Sequence, residues 1–254
     1  MKILRRIYAF FVLSFLYIPL GIMVVYSFNA SRYSMDWKGF SLEWYVRLFE
    51  NTTLINSAVN SIIVASISAT ISTILGTVIA FALTRWRFPA RKIMGGTLFV
   101  MMMSPDIIIG ISLLVLFMFL GIPLGLETLV LAHITLCLPF VAIVVQSKLH
   151  GFDVHLIEAA RDLGAGDWAV FRHVVVPLVS PAVLAGWFLS FTLSLDDVVI
   201  SFFTTGPTFE VLPLRIYSMV RLGFKPEINA LCTIMVGITT IAVAIAHRFF
   251  KEHE

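Results

Sequence analysis

Three aspartates, Asp106, Asp196 and Asp197, stand within stretches of sequence that are otherwise apolar. Carboxylates bind cations, and several at a similar level could hold a row of ammonium groups. Phenylalanine and tyrosine faces can cover the methylene groups between such charges and attract the cations through their π systems. These residue types suit a cation with an apolar chain better than an anion, which would call for Arg, Lys or helix N-termini.

Sequence patterns for bond-breaking chemistry and for metal binding are missing. The chain has no G-x-x-x-x-G-K-[ST] phosphate loop and no HExxH motif, so we expect that it does not hydrolyse ATP itself. Its two cysteines lie in apolar runs and its six histidines are scattered, so we interpret them as structural and expect no metal site and no cofactor bound by this chain. The string Gly110-Ile111-Ser112 is followed by Leu113, which does not fit the motif of a rhomboid-like intramembrane serine enzyme.

The composition is that of a membrane protein. Hydrophobic residues make up 59% of the chain and charged residues 13%, and the mean hydropathy is +0.96. Six stretches have about the 20 residues that a helix needs to cross the hydrocarbon core. They cover 7–28, 59–83, 93–120, 129–146, 181–203 and 230–250. The sequence therefore predicts an all-α integral membrane protein with six transmembrane helices.

The spans divide the chain into three parts. Residues 1–58 hold the first helix and an external aromatic-rich segment, in which Ser41 is a plausible N-cap for a short amphipathic helix. Residues 59–250 form the transmembrane core, with a loop at 148–177 between the fourth and fifth spans. Residues 251–254 form a tail.

Lysines and arginines predict the orientation, because cytoplasmic loops carry an excess of them. Twelve of the 18 lie before the first span or after the second, fourth and sixth, and six lie on the opposite side. Both termini and the loop 148–177 are therefore expected in the cytoplasm. The membrane topology explains the positive residues, so the net charge of +3 gives no reason to expect nucleic acid.

This arrangement places the three aspartates inside the membrane. At about 1.5 Å per residue, Asp106 and Asp196 lie roughly 20 Å from the cytoplasmic ends of their spans. A charge at a helix centre costs about 2.5–3.5 kcal/mol, and no Lys or Arg in a span lies nearby, which favours a water-filled path or a cationic ligand. Two alternatives stay open: Asp106, after Pro105, could cap a half-helix, and Asp196 or Asp197 could bond a neighbouring helix.

The loop 148–177 is the polar, amphipathic exception in the chain. It reads Glu158-Ala159-Ala160-x-x-x-Gly164, then nine residues, then Val174-x-Val176-Pro177. We expect a short helix that Gly164 breaks and a second helical turn that Pro177 ends. The loop could be a plain connector on the bilayer surface, or it could grip another protein.

The pattern in this loop resembles the EAA loop of ABC-importer permease subunits, with every fixed position filled. Over nearly its full length the chain resembles the second permease subunit of bacterial spermidine/putrescine-type ABC importers. The supporting strings are Ser27-Phe28-Asn29, Met103-Ser104-Pro105-Asp106, Ser194-Leu195-Asp196-Asp197, Thr205-Gly206-Pro207, and Leu212-Pro213 with Ile216-Tyr217-Ser218-Met219.

The resemblance implies a type I ABC importer permease fold in the bacterial inner membrane and a role in polyamine import. The implied partners are a second, similar permease in a heterodimer, two copies of a cytoplasmic ATPase that carries ATP-Mg, an external polyamine-binding protein and membrane lipid. The residues implied to couple to the ATPase are Glu158, Ala159, Ala160, Gly164 and Pro177. Those implied along the polyamine path are Asp106, Asp196 and Asp197.

Two rival functions remain at the level of sequence. One keeps the ABC coupling but changes the cargo to another solute, such as thiamine or a ferric complex. The other is an ion-driven secondary transporter that uses the aspartates as proton sites, which leaves the EAA pattern unexplained.

Overall fold

The computed structural model describes residues 2–32, 36–151, 155–222 and 226–251. Residues 152–154 of the predicted loop and 252–254 of the predicted tail lie outside these ranges. The regular elements in the described ranges are helices, so the prediction of an all-α protein is confirmed. They are α1 (Lys2–Tyr26), α2 (Glu43–Glu50), α3 (Thr52–Arg85), α4 (Arg91–Met103), α5 (Asp106–Phe119), α6 (Leu126–His150), α7 (His155–Asp162), α8 (Asp167–Val170), a π-helix (Phe171–Val175), α9 (Val176–Asp196), α10 (Val199–Thr204), α11 (Leu212–Leu222) and α12 (Pro226–Lys251).

The chain divides into two compact units, of which one comprises Met1–Asn56 and Arg215–Glu254. Here α12 packs against α1 and α2. The short helix predicted after Ser41 is α2, but its N-cap residue is Leu42 and not Ser41, because the helix begins one residue later than predicted. The Ser41 hydroxyl accepts a hydrogen bond from the Glu43 N–H at 3.1 Å. Trp44 on its buried face donates from Nε1 to the carbonyl of Asn29 at 2.7 Å. This bond ties the helix to the segment that follows α1.

The second unit, Ser57–Leu214, is built around α6. Helices α4, α5, α9 and α10 all pack against α6. Helices α3 and α9 both approach it at Val141: a Cβ added at Gly76 would lie 2.8 Å from the Val141 Cβ, and one added at Gly186 would lie 3.2 Å from its Cγ1. Close backbone approach supplies the van der Waals contact that holds helices together in lipid. Gly76 of α3 therefore serves helix packing.

Four helical stretches among the described residues are long and apolar enough to cross a membrane. They are Arg5–Tyr26, Thr52–Arg85, Leu126–His150 and Trp168–Asp196. Helices α4 and α5 pass the same test only as a pair, bent by 110° between Met103 and Asp106. The predicted span 93–120 is interrupted at Pro105, where an extended Ser104-Pro105 link separates the two helices.

Two further boundaries differ from the sequence predictions. The predicted span 181–203 is broken into α9 and α10, with Asp197 in an extended conformation at the break. We predicted that Pro177 ends a helical turn, and this is wrong: Pro177 lies in the first turn of α9. Helix α9 continues directly from the π-helix Phe171–Val175, and local π turns let membrane helices accommodate a proline.

The contact at Val141 leads to a prediction about stability. Gly76→Ala should lower the unfolding midpoint of the purified protein, because the new methyl overlaps the Val141 side chain and overpacking costs about 1–3 kcal/mol. Gly186→Ala should be milder, since its 3.2 Å neighbour is a methyl that can shift. Gly95→Ala, which meets nothing within 4 Å, is the matched control. Equal midpoints for Gly76→Ala and Gly95→Ala would contradict the close crossing.

Candidate functional site

Asp197 holds the start of α10 at the break that follows α9. Its Oδ1 accepts a hydrogen bond from the Ile200 N–H at 3.2 Å, and its Oδ2 accepts one from the Ser201 N–H at 2.7 Å. The first N–H groups of a helix have no partner within the helix, and a carboxylate at this point satisfies two of them. Only 8% of the residue is exposed.

A buried histidine from α6 bridges the same break. His133 Nδ1 lies 2.6 Å from the hydroxyl oxygen of Ser194, in the last turn of α9. His133 Nε2 lies 3.0 Å from the hydroxyl oxygen of Ser201, in α10, and 3.6 Å from Asp197 Oδ2. The ring therefore contacts the chain before and after the break. A fully buried imidazole needs hydrogen-bond partners, and these two serines supply them.

The far end of α10 is also tied to α6. The Thr128 hydroxyl, near the start of α6, donates a hydrogen bond to the carbonyl of Thr204 at 2.8 Å, and both residues are fully buried. Helix α10 is thus held to α6 at its first and last turns. This short half-helix is therefore a fixed part of the unit.

Asp196, one residue before Asp197, lies in a different environment because its side chain is exposed. Thr192 and Phe188 precede it at intervals of four residues, so the three share one face of α9, and all three are exposed. Phe188 is 62% exposed, but its ring is braced by an edge-on contact with Trp187 at 5.2 Å. This exposed row on α9, formed by Phe188, Thr192 and Asp196, is called the acidic stripe below.

The acidic stripe is anchored from behind. Trp187 stacks on Phe191 at 5.2 Å between ring centroids, and its Nε1 donates a hydrogen bond to the Thr70 hydroxyl at 3.1 Å. The ring of Trp187 is thereby tied to α3. The orientation of Phe188 is consequently set by packing as well as by its position on α9.

Asp106 is the first residue of α5 and is also exposed. Helix α5 packs against α10: a Cβ placed at Gly110 would lie 2.7 Å from the Phe203 ring and 3.4 Å from the Ile200 Cα. This contact brings the start of α5 near the break that follows α9.

The arrangement thus separates the three predicted path residues into two kinds. Asp106 and Asp196 present exposed carboxylates from the ends of two interrupted helices, whereas Asp197 is turned inward to backbone N–H groups and His133. The first two suit the binding of a cation. Within the described residues, no cluster of His, Cys, Asp and Glu has the arrangement of a metal site.

The EAA pattern forms a compact turn at the other end of α6. Helix α7 contains Glu158, Ala159 and Ala160. Gly164 follows it with φ +84°; its N–H bonds to the Arg161 carbonyl at 2.8 Å, and the Ala165 N–H bonds to the Ala160 carbonyl at 3.0 Å. These two bonds define a Schellman C-cap, which requires a left-handed residue at the position of Gly164.

The inner side of this turn belongs to the core of the unit. Ala160 and Ala165 pack against a buried cluster, which consists of Ala80, Val141, Val145, Val170, Val175 and Val179. The small side chain of Ala160 therefore fits the close contact between α7 and the ends of three long helices. Ala159, the other alanine of the pattern, is exposed.

The outer side of the turn is open and partly apolar. Leu163 is 88% exposed and Trp168 is 70% exposed. Glu158 is exposed as well, with its Oε2 lying 3.2 Å from Nδ1 of His155. Large exposed apolar side chains beside polar ones are typical of a surface that another protein covers.

A family model of the binding-protein-dependent transport system inner membrane component matches residues 72–253, which includes the acidic stripe, the buried histidine and the EAA turn. The match covers more than half of the chain. The chain belongs to this family. It is an inner-membrane transport component, and the resemblance deduced from its motifs is confirmed.

Curated relatives match nearly the whole chain of this transport component. It is 51% identical over 251 residues to the spermidine/putrescine transport system permease protein PotC of Escherichia coli strain K12, covering 99% of this chain and 95% of the relative. The PotC protein of Haemophilus influenzae is 50% identical over 250 residues, covering 98% and 97%. The putrescine transport system permease protein PotI of E. coli K12 is 40% identical, covering 92% and 85%.

Solved structures share the fold. A bacterial ABC transporter involved in the import of the acidic polysaccharide alginate matches with a TM-score of 0.75 at 16% identity, covering 98% of this chain and 96% of that chain. An amino acid ABC transporter matches with a TM-score of 0.63 at 15% identity, covering 85% and 100%. The predicted ABC importer permease fold is thereby confirmed.

Sequence reasoning about this transport component missed the role of His133. The six histidines were interpreted as structural, and His133 is indeed buried among packed helices, but its partners Ser194 and Ser201 lie 61 and 68 positions away. One signal was present: His133 is a histidine in the middle of an apolar span, where a polar ring needs a partner. Nothing in the spacing identified that partner.

The C-cap of α7 gives a second prediction. Gly164→Ala should destabilise the turn by about 1–2 kcal/mol, since a left-handed conformation costs about that much for a residue with a Cβ. The amide of Ala165 should then exchange its hydrogen roughly 5–30-fold faster. Gly166→Ala is the control, because Gly166 has no positive φ and meets nothing within 4 Å. Unchanged exchange in Gly164→Ala would contradict the Schellman geometry.

Proposed function

We propose that this chain is the transmembrane permease subunit of an ATP-driven importer of polyamines of the spermidine/putrescine type. The observation that carries the proposal is the pair of exposed carboxylates, Asp106 and Asp196, at the ends of two interrupted apolar helices. An exposed charge on such a helix does not face lipid, because it costs about 2.5–3.5 kcal/mol there. It faces water, cargo or a partner chain.

The shape of a polyamine matches the acidic stripe. Phe188 precedes Asp196 by eight residues, or about 12 Å along α9, which is the scale of a chain of ammonium groups joined by methylenes. The carboxylates of Asp106 and Asp196 would hold ammonium groups, and the Phe188 face would cover methylenes and contribute cation–π attraction. The relatives named for spermidine/putrescine and putrescine transport support the same cargo.

The topology proposed for the subunit has six spans with both termini in the cytoplasm. Four long helices and the bent pair α4–α5 supply five spans, and α12, which contains the predicted stretch 230–250, supplies the sixth. The excess of Lys and Arg then lies on the side of the EAA turn. The parts proposed from the sequence are retained: 1–58, the core 59–250 with its loop 148–177, and the tail 251–254.

The coupling proposed runs through the EAA turn to a separate ATPase. Glu158, Ala159, Leu163 and Trp168 form an exposed surface, and Ala160 and Gly164 shape the turn behind it. Pro177, the remaining residue of the pattern, lies in the first turn of α9. Movement of that surface would reach α6 and α9 through the buried cluster. The proposed assembly contains a second permease subunit, two copies of the ATPase with its ATP-Mg, and an external polyamine-binding protein.

Uptake of labelled spermidine into proteoliposomes that hold the assembled complex tests the proposal. The wild type should accumulate spermidine only with ATP and binding protein. Asp196→Asn should lower uptake about 10–100-fold, because a hydrogen bond to a charged group contributes roughly 1.5–3 kcal/mol. Its ATPase activity should stay within about twofold of wild type.

Glu127→Gln is the matched control for this experiment. Glu127 is an exposed acid in the first turn of α6, outside the acidic stripe, so its loss changes net charge equally. Equal losses in Glu127→Gln and Asp196→Asn would indicate general electrostatic attraction rather than a site. ATPase activity stimulated by a binding protein, without spermidine or putrescine uptake in the wild type, would reject the polyamine cargo.

The aromatic part of the stripe gives a separate prediction. Phe188→Ala should lower spermidine uptake about 5–30-fold, because it removes both the apolar cover and a cation–π contact worth about 1–2 kcal/mol, whereas Phe188→Tyr should retain most uptake. Phe15→Ala, which truncates an 80% exposed ring on α1, is the control. Full activity in Phe188→Ala would remove Phe188 from the path.

A further inference from the structure

The neighbours Asp196 and Asp197 have opposite surroundings. Asp196 is exposed on the acidic stripe, whereas Asp197 is 8% exposed and both of its oxygens accept hydrogen bonds from N–H groups of α10. Side chains of adjacent helical residues point about 100° apart. One of the two can face a path only if the other is turned into the protein.

We propose that Asp197 and His133 are positioning residues, which hold the break between α9 and α10 so that Asp196 faces the cargo, and that neither touches the cargo. This inference rests on the proposed function for the identity of the cargo. It assigns to the adjacent acids two different tasks, binding and alignment.

The first argument is the occupancy of the Asp197 carboxylate. Because Asp197 is buried, its side chain would have to turn outward and leave the N–H groups of Ile200 and Ser201 to reach an ammonium group on the exposed face of α9. Those groups would then be buried without partners, which is costly for backbone N–H groups. Helix α10 would also lose the charged contact at its first turn. The carboxylate therefore stabilises the fold more when it is bonded to α10 than when it is turned toward cargo.

The second argument is the place of His133. Its Nδ1 contacts Ser194, before the break, and its Nε2 contacts Ser201, after it. The Asp197 carboxylate, 3.6 Å from Nε2, favours the tautomer that carries its proton on Nε2. One rigid ring thus fixes the distance between the end of α9 and the start of α10. No other described side chain bonds to both sides.

The third argument is the position of Asp196 in this arrangement. It is the last residue of α9, directly between Ser194 and Asp197, which are both held by the His133 ring. Its backbone is therefore fixed from both sides, although its own carboxylate is exposed. Binding sites need such support, since a side chain on an unrestrained helix end samples many directions.

The first test compares acceptor chemistry with charge at position 197. Asp197→Asn keeps one oxygen that can accept from α10 but replaces the second acceptor by a donor, so spermidine transported per ATP hydrolysed should fall only about threefold. Asp197→Ala removes the acceptor and should lower that ratio about tenfold or more. Asp196→Asn, which removes the proposed binding charge, should by itself lower the amount of spermidine transported per ATP hydrolysed. If Asp197→Asn is as defective as Asp197→Ala, the charge itself binds cargo and the inference is overturned.

The second test addresses His133. His133→Leu should lower transport per ATP as Asp197→Ala does, and the double variant should be no worse than either single one, because both act on the same break. Ser72→Ala is the control, since Ser72 is a buried hydroxyl that bonds only within α3. An unchanged ratio in His133→Leu, or additive losses in the double variant, would overturn the inference.

A third measurement is independent of the cargo and of activity. In assembled complexes that carry Cys137→Ala and Cys232→Ala, a cationic thiol reagent should modify Asp196→Cys at least tenfold faster than Asp197→Cys. Adding His133→Leu should slow the reaction at position 196 severalfold. Equal rates at the two positions, or no effect of His133→Leu, would overturn the positioning role even if polyamine uptake is confirmed. A wild type that transports no polyamine while these rates hold would reject the cargo alone.

Discussion

An interrupted helix in an apolar setting must satisfy the backbone groups that the interruption frees, and this constraint organises the unit built around α6. At the break after α9, Asp197 accepts from two N–H groups and His133 bonds to serines on both sides. Irregular backbone at membrane depth is tolerated only where it is buried in protein or lines a cavity. The break meets the first condition at Asp197, which is buried.

Helix α6 connects this break with the EAA turn. Its Thr128 and His133 hold α10, while Val141 and Val145, two to three turns further along, pack against α3, α9 and the elements beside α7. Cores packed this tightly transmit displacement because they deform little. A push on the EAA turn would therefore move α6 and α9 together, and the break would travel with them. This mechanical continuity is the structural basis for the coupling that we propose.

The sequence predicted the elements of this design better than their junctions. Hydropathy located the long helices within a few residues, and the spacing of Glu158, Ala160 and Gly164 predicted a helix with a glycine end, because these features depend on local chemistry. The 110° turn at Pro105, the passage of helix through Pro177 and the partners of His133 were not predictable. Each depends on packing between segments that lie far apart in the sequence. The local pattern around a proline or a histidine is the same whichever tertiary arrangement the chain adopts.

The adjacency of Asp196 and Asp197 is the clearest case of this limit. In the sequence both are acids in an apolar span, and the expected free-energy cost of placing each charge in the membrane is the same. In the structure the cost of Asp197 is offset by two N–H donors and a histidine, whereas that of Asp196 is left to solvent or to a ligand. A buried carboxylate is out of reach of a passing cation, whereas an exposed one is open to it. In the proposed function, cargo binding therefore falls to the exposed residue, and the buried neighbour keeps that residue in place.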